Sequence, residues 1–196
     1  MKKIIIFILA LLSFPVLIIS ANEYGVGKNK TGERPNVSIK TIEENNGYTI
    51  GSDDKRIYLT FDCGYENGYT LKILDVLKET DTKACFFITG HYLNSSYDIV
   101  KRMITDGHIV GNHTYSHKSF NVSSNEEILN DIKKLEDLYK EKTGLTMSKY
   151  IRPPKGEYTE KSQKLLADNG YSSIFWSLAY VDRKSTRLNS SHRCIS

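Results

Sequence analysis

Two histidines stand four residues apart in His113-Thr114-Tyr115-Ser116-His117. On one helical turn or in a tight loop such a pair can face a single point, as ligands of a divalent metal do, and the same spacing also suits two partly exposed loop imidazoles. Asp62 directly follows an apolar run. It reads either as a loop-fixing or helix-capping carboxylate or as a general base that takes a proton from a metal-activated water. Its neighbour Cys63 is a competent zinc ligand as a thiolate, or alternatively a nucleophile with His113 as its base. Arg152 precedes Pro153-Pro154, which stiffen the backbone. A surface ion pair is the plain reading of this arginine, and a pairing with Asp62 that keeps the carboxylate ionised is the sharper one.

The elements that must position these groups alternate. Ile57 to Phe61 is a β-branched and aromatic run of strand length, and Tyr69 to Glu79 carries Leu71, Leu74 and Leu77 at helical spacing. Ala84 to Thr89 repeats the strand pattern and stops at Gly90, and Ile99, Val100, Met103 and Ile104 mark one face of a second helix. His108 to Asn112 is a third strand. Ser124 with Glu127 forms a capping box ahead of Ile128, Ile132, Leu135 and Leu138, and Gly144 supplies the stop. Tyr150 to Arg152 gives a fourth strand, Thr159 caps a helix ending at Gly170, and Ser173 to Ser177 gives a fifth strand. Repeated β-α units without hairpin turns predict a parallel sheet with helical crossovers, open or curled into a barrel. Parallel sheets gather their chemistry at the carboxyl ends of the strands. The residues there are Asp62 and Cys63, then His91, then His113 and His117, then Arg152, then Asp182, so three of the five histidines meet at one rim.

Composition narrows the class. The chain has 196 residues and 22.4 kDa, with 39% hydrophobic and 26% charged residues, which is globular material of one domain or a little more. The net charge of +4 comes from the ends: without Lys2, Lys3, Arg183, Lys184, Arg187 and Arg193 there are 21 basic against 23 acidic residues. No polybasic face is implied, and nucleic acid is not an expected partner. Lys2 and Lys3 followed by an apolar run closing at Ala21 make residues 1–21 a secretory signal peptide or an N-terminal anchor. The remainder is therefore expected outside the cytoplasm, with membrane contact only through that segment. Residues 22–55 read as an irregular lead-in, and three cysteines do not make a disulfide framework.

Three segments carry a resemblance. Thr60-Phe61-Asp62-Cys63-Gly64, then His113-x-x-x-His117, then Arg152-x-Pro154-x-Gly156 resemble the first three signature motifs of the polysaccharide deacetylases, the nodulation-B-homology family. The stretches Tyr58 to Thr70, Phe86 to His91 and Ile151 to Gly156 are similar to its sporulation branch, which removes acetyl groups from N-acetylmuramic acid in spore-cortex peptidoglycan on the way to muramic lactam. The resemblance runs from about Tyr24 through Asp182.

It implies an α/β fold, a distorted (β/α) barrel of the polysaccharide deacetylase type, with the catalytic domain over 56–182. It also implies hydrolysis of an N-acetyl amide on a glycan by a monomer in the cell wall or spore envelope. His113 and His117 would hold a divalent metal, zinc first, with manganese, cobalt or magnesium as alternatives. Asp62 would be the base, Arg152 would hold it in place, Asp182 would match the family's Asp that orients the catalytic acid, and His91, Pro154 and Gly156 would line the substrate groove. Cys63 stands where the family's first motif usually has a second acid, a metal ligand. After Asp182 the family pattern stops: 183–196 are polar and aperiodic, and His192 comes too soon to be the family's general acid. This tail reads as non-native and the domain as C-terminally truncated. A silent glycan-binding or spore-envelope protein and a Cys63 thiol amidase are the rival functions.

Overall fold

The computed structural model describes residues 39–52 and 55–177. In chain order the elements are α1 (Ile39–Glu43), β1 (Gly47–Tyr48), β2 (Thr60–Cys63), α2 (Thr70–Glu79), β3 (Cys85–Ile88), α3 (Gly90–Ser95), α4 (Tyr97–Thr105), β4 (Ile109–Asn112), α5 (Asn125–Thr143), β5 (Tyr150–Ile151), α6 (Glu160–Asp168) and β6 (Ser172–Ile174). All six strands are parallel in one sheet of order β1-β6-β5-β4-β3-β2. From β2 to β6 each strand lies beside the one before it in the chain, with at least one helix between, which is the wound β/α-barrel type of arrangement expected. Among the described residues no helix is long and apolar enough to cross a membrane.

Side-chain alternation divides the sheet into two faces. Phe61 and Cys63 of β2, Phe86 and Ile88 of β3 and Val110 of β4 belong to one buried cluster with Leu74 and Leu77 of α2, Val100 and Met103 of α4 and Leu135 of α5. This outer face is covered by helices, and each fully buried aliphatic or aromatic side chain there contributes about 1.5–3 kcal/mol. A second cluster joins Ile151 of β5 to Ile128 and Ile132 of α5 and Leu166 of α6. The opposite face carries Thr60, Asp62, Phe87, Gly111 and, just past the ends of β4 and β5, His113 and Arg152. In β2, β3 and β4 the register sets Asp62 beside Phe87 and Phe87 beside Gly111.

The longest helix forms where its caps predict. Ser124 Oγ accepts from the Glu127 N–H at 3.2 Å and the Ser124 N–H donates to Glu127 Oε2 at 2.8 Å; the far end turns into a left-handed Gly144 with φ 73°. Thr159 caps α6 by accepting from Ser162 N–H at 3.0 Å.

Three expectations need correction. The first barrel strand covers Thr60–Cys63 rather than 57–61, because Ile57 and Tyr58 are 61% and 45% exposed and only from Thr60 does the chain pair with β3. Asp62 therefore sits within the strand. The single helix marked by Ile99 to Ile104 is preceded by a separate short helix, α3, whose cap is Thr89. Finally, the lead-in is not irregular throughout. Residues 39–48 supply α1 and β1, and β1 pairs with β6 (Gly47 with Ser173, Tyr48 with Ile174), while Ile42 is buried against Tyr158 and Phe175. A five-residue helix and a two-residue strand are too short to show a period; tertiary contacts hold them.

Candidate active site

Arg152 organises the inner face. It is 2% exposed, and its guanidinium donates to Asp62 Oδ1 at 2.8 Å, Thr60 Oγ1 at 2.7 Å, and the carbonyls of Ile174 and Phe175 at 2.9 Å each. The same group lies over two rings, 4.5 Å from the Phe87 centroid and 5.1 Å from that of Trp176. A buried cation is tolerable only when its donors are met and a counter-charge is near, and here both hold. The plain reading of Arg152 as a surface ion pair is thereby replaced by a buried one.

Gly111 makes the room for this stack. A Cβ at that position would come within 2.6 Å of the Phe87 ring and 3.2 Å of the Tyr150 carbonyl oxygen. Gly111→Ala is expected to push the ring against Arg152 and to cost about 1–3 kcal/mol by overpacking, which a denaturant titration would measure; a variant as stable as the wild type would show that the ring moves freely.

Asp62 holds one oxygen on Arg152 and turns the other toward His113, with Oδ2 3.9 Å from His113 Nε2. Its side chain is 41% exposed, so this second oxygen is reachable. Packing around the carboxyl raises its pKa, but Arg152, His113 and the guanidinium hydrogen bond outweigh that, and Asp62 titrates below the ordinary carboxylate value. It is ionised at neutral pH.

The imidazole of His113 is buried at the end of β4, and its Nδ1 lies 2.8 Å from the carbonyl oxygen of Arg152. A carbonyl only accepts, so Nδ1 carries the proton and Nε2 keeps a lone pair on the Asp62 side. The His117 ring stands edge-on to it, with centroids 4.7 Å apart at 69°. Burial holds both imidazoles below their ordinary pKa, His117 to about 4 with help from its neighbour His113. Neutral imidazole is the metal-binding form. In the unfolded chain His117 titrates near 6.5, so its contribution to stability is complete above pH 6.5 and lost as the pH falls from there through about 4. His113 acts in the same direction. With His117 open to solvent on one side, the expected loss between pH 7 and pH 4.5 is about 1–2 kcal/mol, read as a lower urea midpoint; an unchanged midpoint would mean that the rings are fully hydrated.

The loop between the histidines is bent by two left-handed residues, Thr114 at φ 64° and His117 at φ 56°. For a β-branched threonine this conformation is unfavourable by roughly 1–2 kcal/mol. Side chains offset it: the Thr114 N–H donates to Asn112 Oδ1 at 2.8 Å, and the His117 N–H to Thr114 Oγ1 at 3.0 Å. Ser119 at the loop's end donates to Glu157, beyond the Pro154–Gly156 turn.

Asp62, Arg152, His113 and His117 are thus brought together as the sequence predicts. The others fare differently. Cys63, one residue from Asp62, points to the opposite face into the helix-covered core, and burial pushes its thiol pKa up. It is neither a ligand beside His113 nor a nucleophile with His113 as base; both expectations fail because adjacent strand residues face opposite ways. His91 stands exposed on the first turn of α3. Pro154 and Gly156 are buried, so they shape the turn after β5 from beneath rather than offering surface, and Gly156 at φ 70° needs its missing Cβ. Asp182 lies outside the described residues, as do the leader and the tail. Thr60, Phe87 and Gly111, which build the Arg152 seat, escape a reading based on strand ends because they lie deeper in the strands; their shared parity with Asp62 is the signal that finds them.

Among the described residues no cluster of three or more His, Cys, Asp and Glu side chains surrounds one point. The donor set on offer is two neutral imidazoles, one with its tautomer fixed by a carbonyl, beside an ionised carboxylate. That chemistry fits a divalent cation of the borderline kind that imidazoles prefer.

Comparison with known proteins gives the family. Residues 49–174 match the family model described as polysaccharide deacetylase, and the chain belongs to that family. It is 41% identical over 145 residues to the peptidoglycan-N-acetylmuramic acid deacetylase PdaA of Bacillus subtilis, covering 73% of this chain and 55% of that protein. The PdaA structure, described as a family 4 carbohydrate esterase, superimposes with a TM-score of 0.76 at 34% identity over 84% of this chain and 72% of the other. A family 4 carbohydrate esterase from Bacillus anthracis gives 0.75 at 37% identity over 90% and 79%. An uncharacterized 30.6 kDa protein of Geobacillus stearothermophilus is 47% identical over 165 residues, 82% of this chain and 62% of that one. The chain spans between half and two thirds of the length of these two sequence relatives.

Proposed function

We propose that the protein is a hydrolase that removes the acetyl group from N-acetylmuramic acid in peptidoglycan, outside the cytoplasm, at the step that prepares muramic lactam in the spore cortex. The observation that carries the proposal is Asp62: an ionised carboxylate with one oxygen clamped by Arg152 and the other facing the neutral imidazole of His113, whose ring meets that of His117. The similarity to PdaA supports the choice of sugar. The charged, then apolar first segment, Lys2 and Lys3 followed by Ile4 to Ala21, supports export.

His113 and His117 are the residues that would hold a divalent cation, which when bound supplies Lewis acidity to the acetamide carbonyl. Asp62 Oδ2 accepts the proton of the water that attacks the acetyl carbon, and Arg152 keeps Oδ1 occupied so that only Oδ2 is free. The C–N bond then breaks as the proton held by Asp62 passes to the leaving nitrogen, giving acetate and the glucosamine-type amine. The hydrogen bond from His113 Nδ1 to the Arg152 carbonyl stops the ring from rotating through the reaction.

Acetate release from muramoyl-peptidoglycan by the full chain, with and without added zinc, tests the proposal. Zinc-stimulated release is expected. A folded protein that binds the glycan and releases no acetate would point instead to a silent glycan-binding protein of the envelope.

A further inference from the structure

We propose that Asp131, early in α5, is a positioning residue for the histidine pair, and that α5 fixes the geometry at which His113 and His117 meet. The proposal rests on the metal-binding reading of that pair. Asp131 takes three hydrogen bonds from the two residues midway between the histidines: its Oδ2 accepts from the Ser116 N–H at 3.1 Å and from the Ser116 hydroxyl at 2.9 Å, and its carbonyl accepts from the Tyr115 N–H at 3.2 Å. The next residue holds the loop's entry, since Asn112 Nδ2 donates to the Ile132 carbonyl at 3.1 Å while Asn112 Oδ1 receives the Thr114 N–H. One turn on, Lys134 Nζ lies 3.9 Å above the Tyr115 ring.

The other bonds that shape the loop differ in kind. The Thr114 hydroxyl bonds to the His117 N–H within the loop and moves with it. The Gly90 N–H donates to the Tyr115 carbonyl from a six-residue helix. α5, by contrast, is nineteen residues long, capped at both ends and packed through Ile132 and Leu135 into the core, so it does not move with the loop. Two non-glycine residues in the left-handed region persist only when the surroundings over-determine them. Asp131 is the rigid-side partner nearest the middle of that bend. Its side chain is only half-buried, so the site is not a packing position.

The test compares Asp131→Ala and Asp131→Asn in the full chain by two readouts that need no substrate: zinc affinity by competition with a chromogenic chelator, and hydrogen exchange of the amides across 113–119. For Asp131→Ala the zinc dissociation constant is expected to rise about 10–100-fold, the loss typical of removing a group that orients a ligand. Exchange should quicken in 113–119 and stay unchanged in the centre of α5. Asp131→Asn, which keeps an oxygen for Ser116, should remain close to wild type on both readouts. Unaltered zinc affinity in the alanine variant would overturn the proposal, as would a loss of protection spread through the whole chain, which marks a merely structural residue. A wild-type chain that binds no zinc would instead defeat the metal reading itself; the exchange comparison would still decide whether Asp131 holds the loop, and equal exchange in wild type and alanine variant would refute that.

Discussion

Asp62→Asn is expected to lower the rate of acetate release by about 10²–10⁴-fold, the range lost with a general base. The substitution is nearly isosteric, so the amide oxygen can still take the Arg152 N–H that Oδ1 accepts at 2.8 Å. What changes is the free atom facing His113: a carboxylate oxygen able to take a proton becomes an NH2 that cannot. Affinity for the glycan should change little, placing the loss in kcat rather than KM. Arg152 loses its counter-charge but keeps Thr60 and two carbonyls, so the stability cost should be about 1–3 kcal/mol. An Asn variant within tenfold of the wild-type rate would remove Asp62 from the mechanism.

Arg152→Met should have the largest effect on stability, about 3–5 kcal/mol, or on the order of 10 °C in the thermal midpoint. Methionine fills part of the space beside Phe87 and Trp176 but leaves the buried carbonyls of Ile174 and Phe175 without the donor they now have. The variant also reports on chemistry. The foremost influence lowering the Asp62 pKa disappears while the packing that raises it stays, so the carboxyl should titrate at higher pH. The acid limb of the pH–rate profile should move upward accordingly. A profile that loses height without moving would show that Arg152 contributes structure only.

How much of this was legible beforehand depends on the length of the pattern. α5 shows itself through Ser124, Glu127 and Gly144, because caps are local chemistry and nineteen residues hold several turns of period. The strand ends gave Asp62, His113, His117 and Arg152, since a parallel sheet has only one rim at which such groups can meet. Cys63 misled because proximity in sequence suggested proximity in space, whereas a strand sends neighbours to opposite faces; the parity shared by Thr60 and Asp62 would have excluded it. Asp131 was out of reach. Nothing local distinguishes it from the other acids on α5, and its role exists only once β4 and α5 are packed together.

The seat of β1 governs the order in which the molecule can be built. Gly47 and Tyr48 pair with Ser173 and Ile174, and the Asn46 side chain reaches the Tyr171 carbonyl and the Ser172 hydroxyl across 125 and 126 positions of chain. A chain that crosses a membrane N-terminus first delivers this segment about 125 positions ahead of its partner. The strands β2 to β6, each beside its predecessor, can assemble as they emerge. β1 must wait as an unpaired segment, and its docking, with the burial of Ile42 against Tyr158 and Phe175, is a late, vectorially delayed step of maturation.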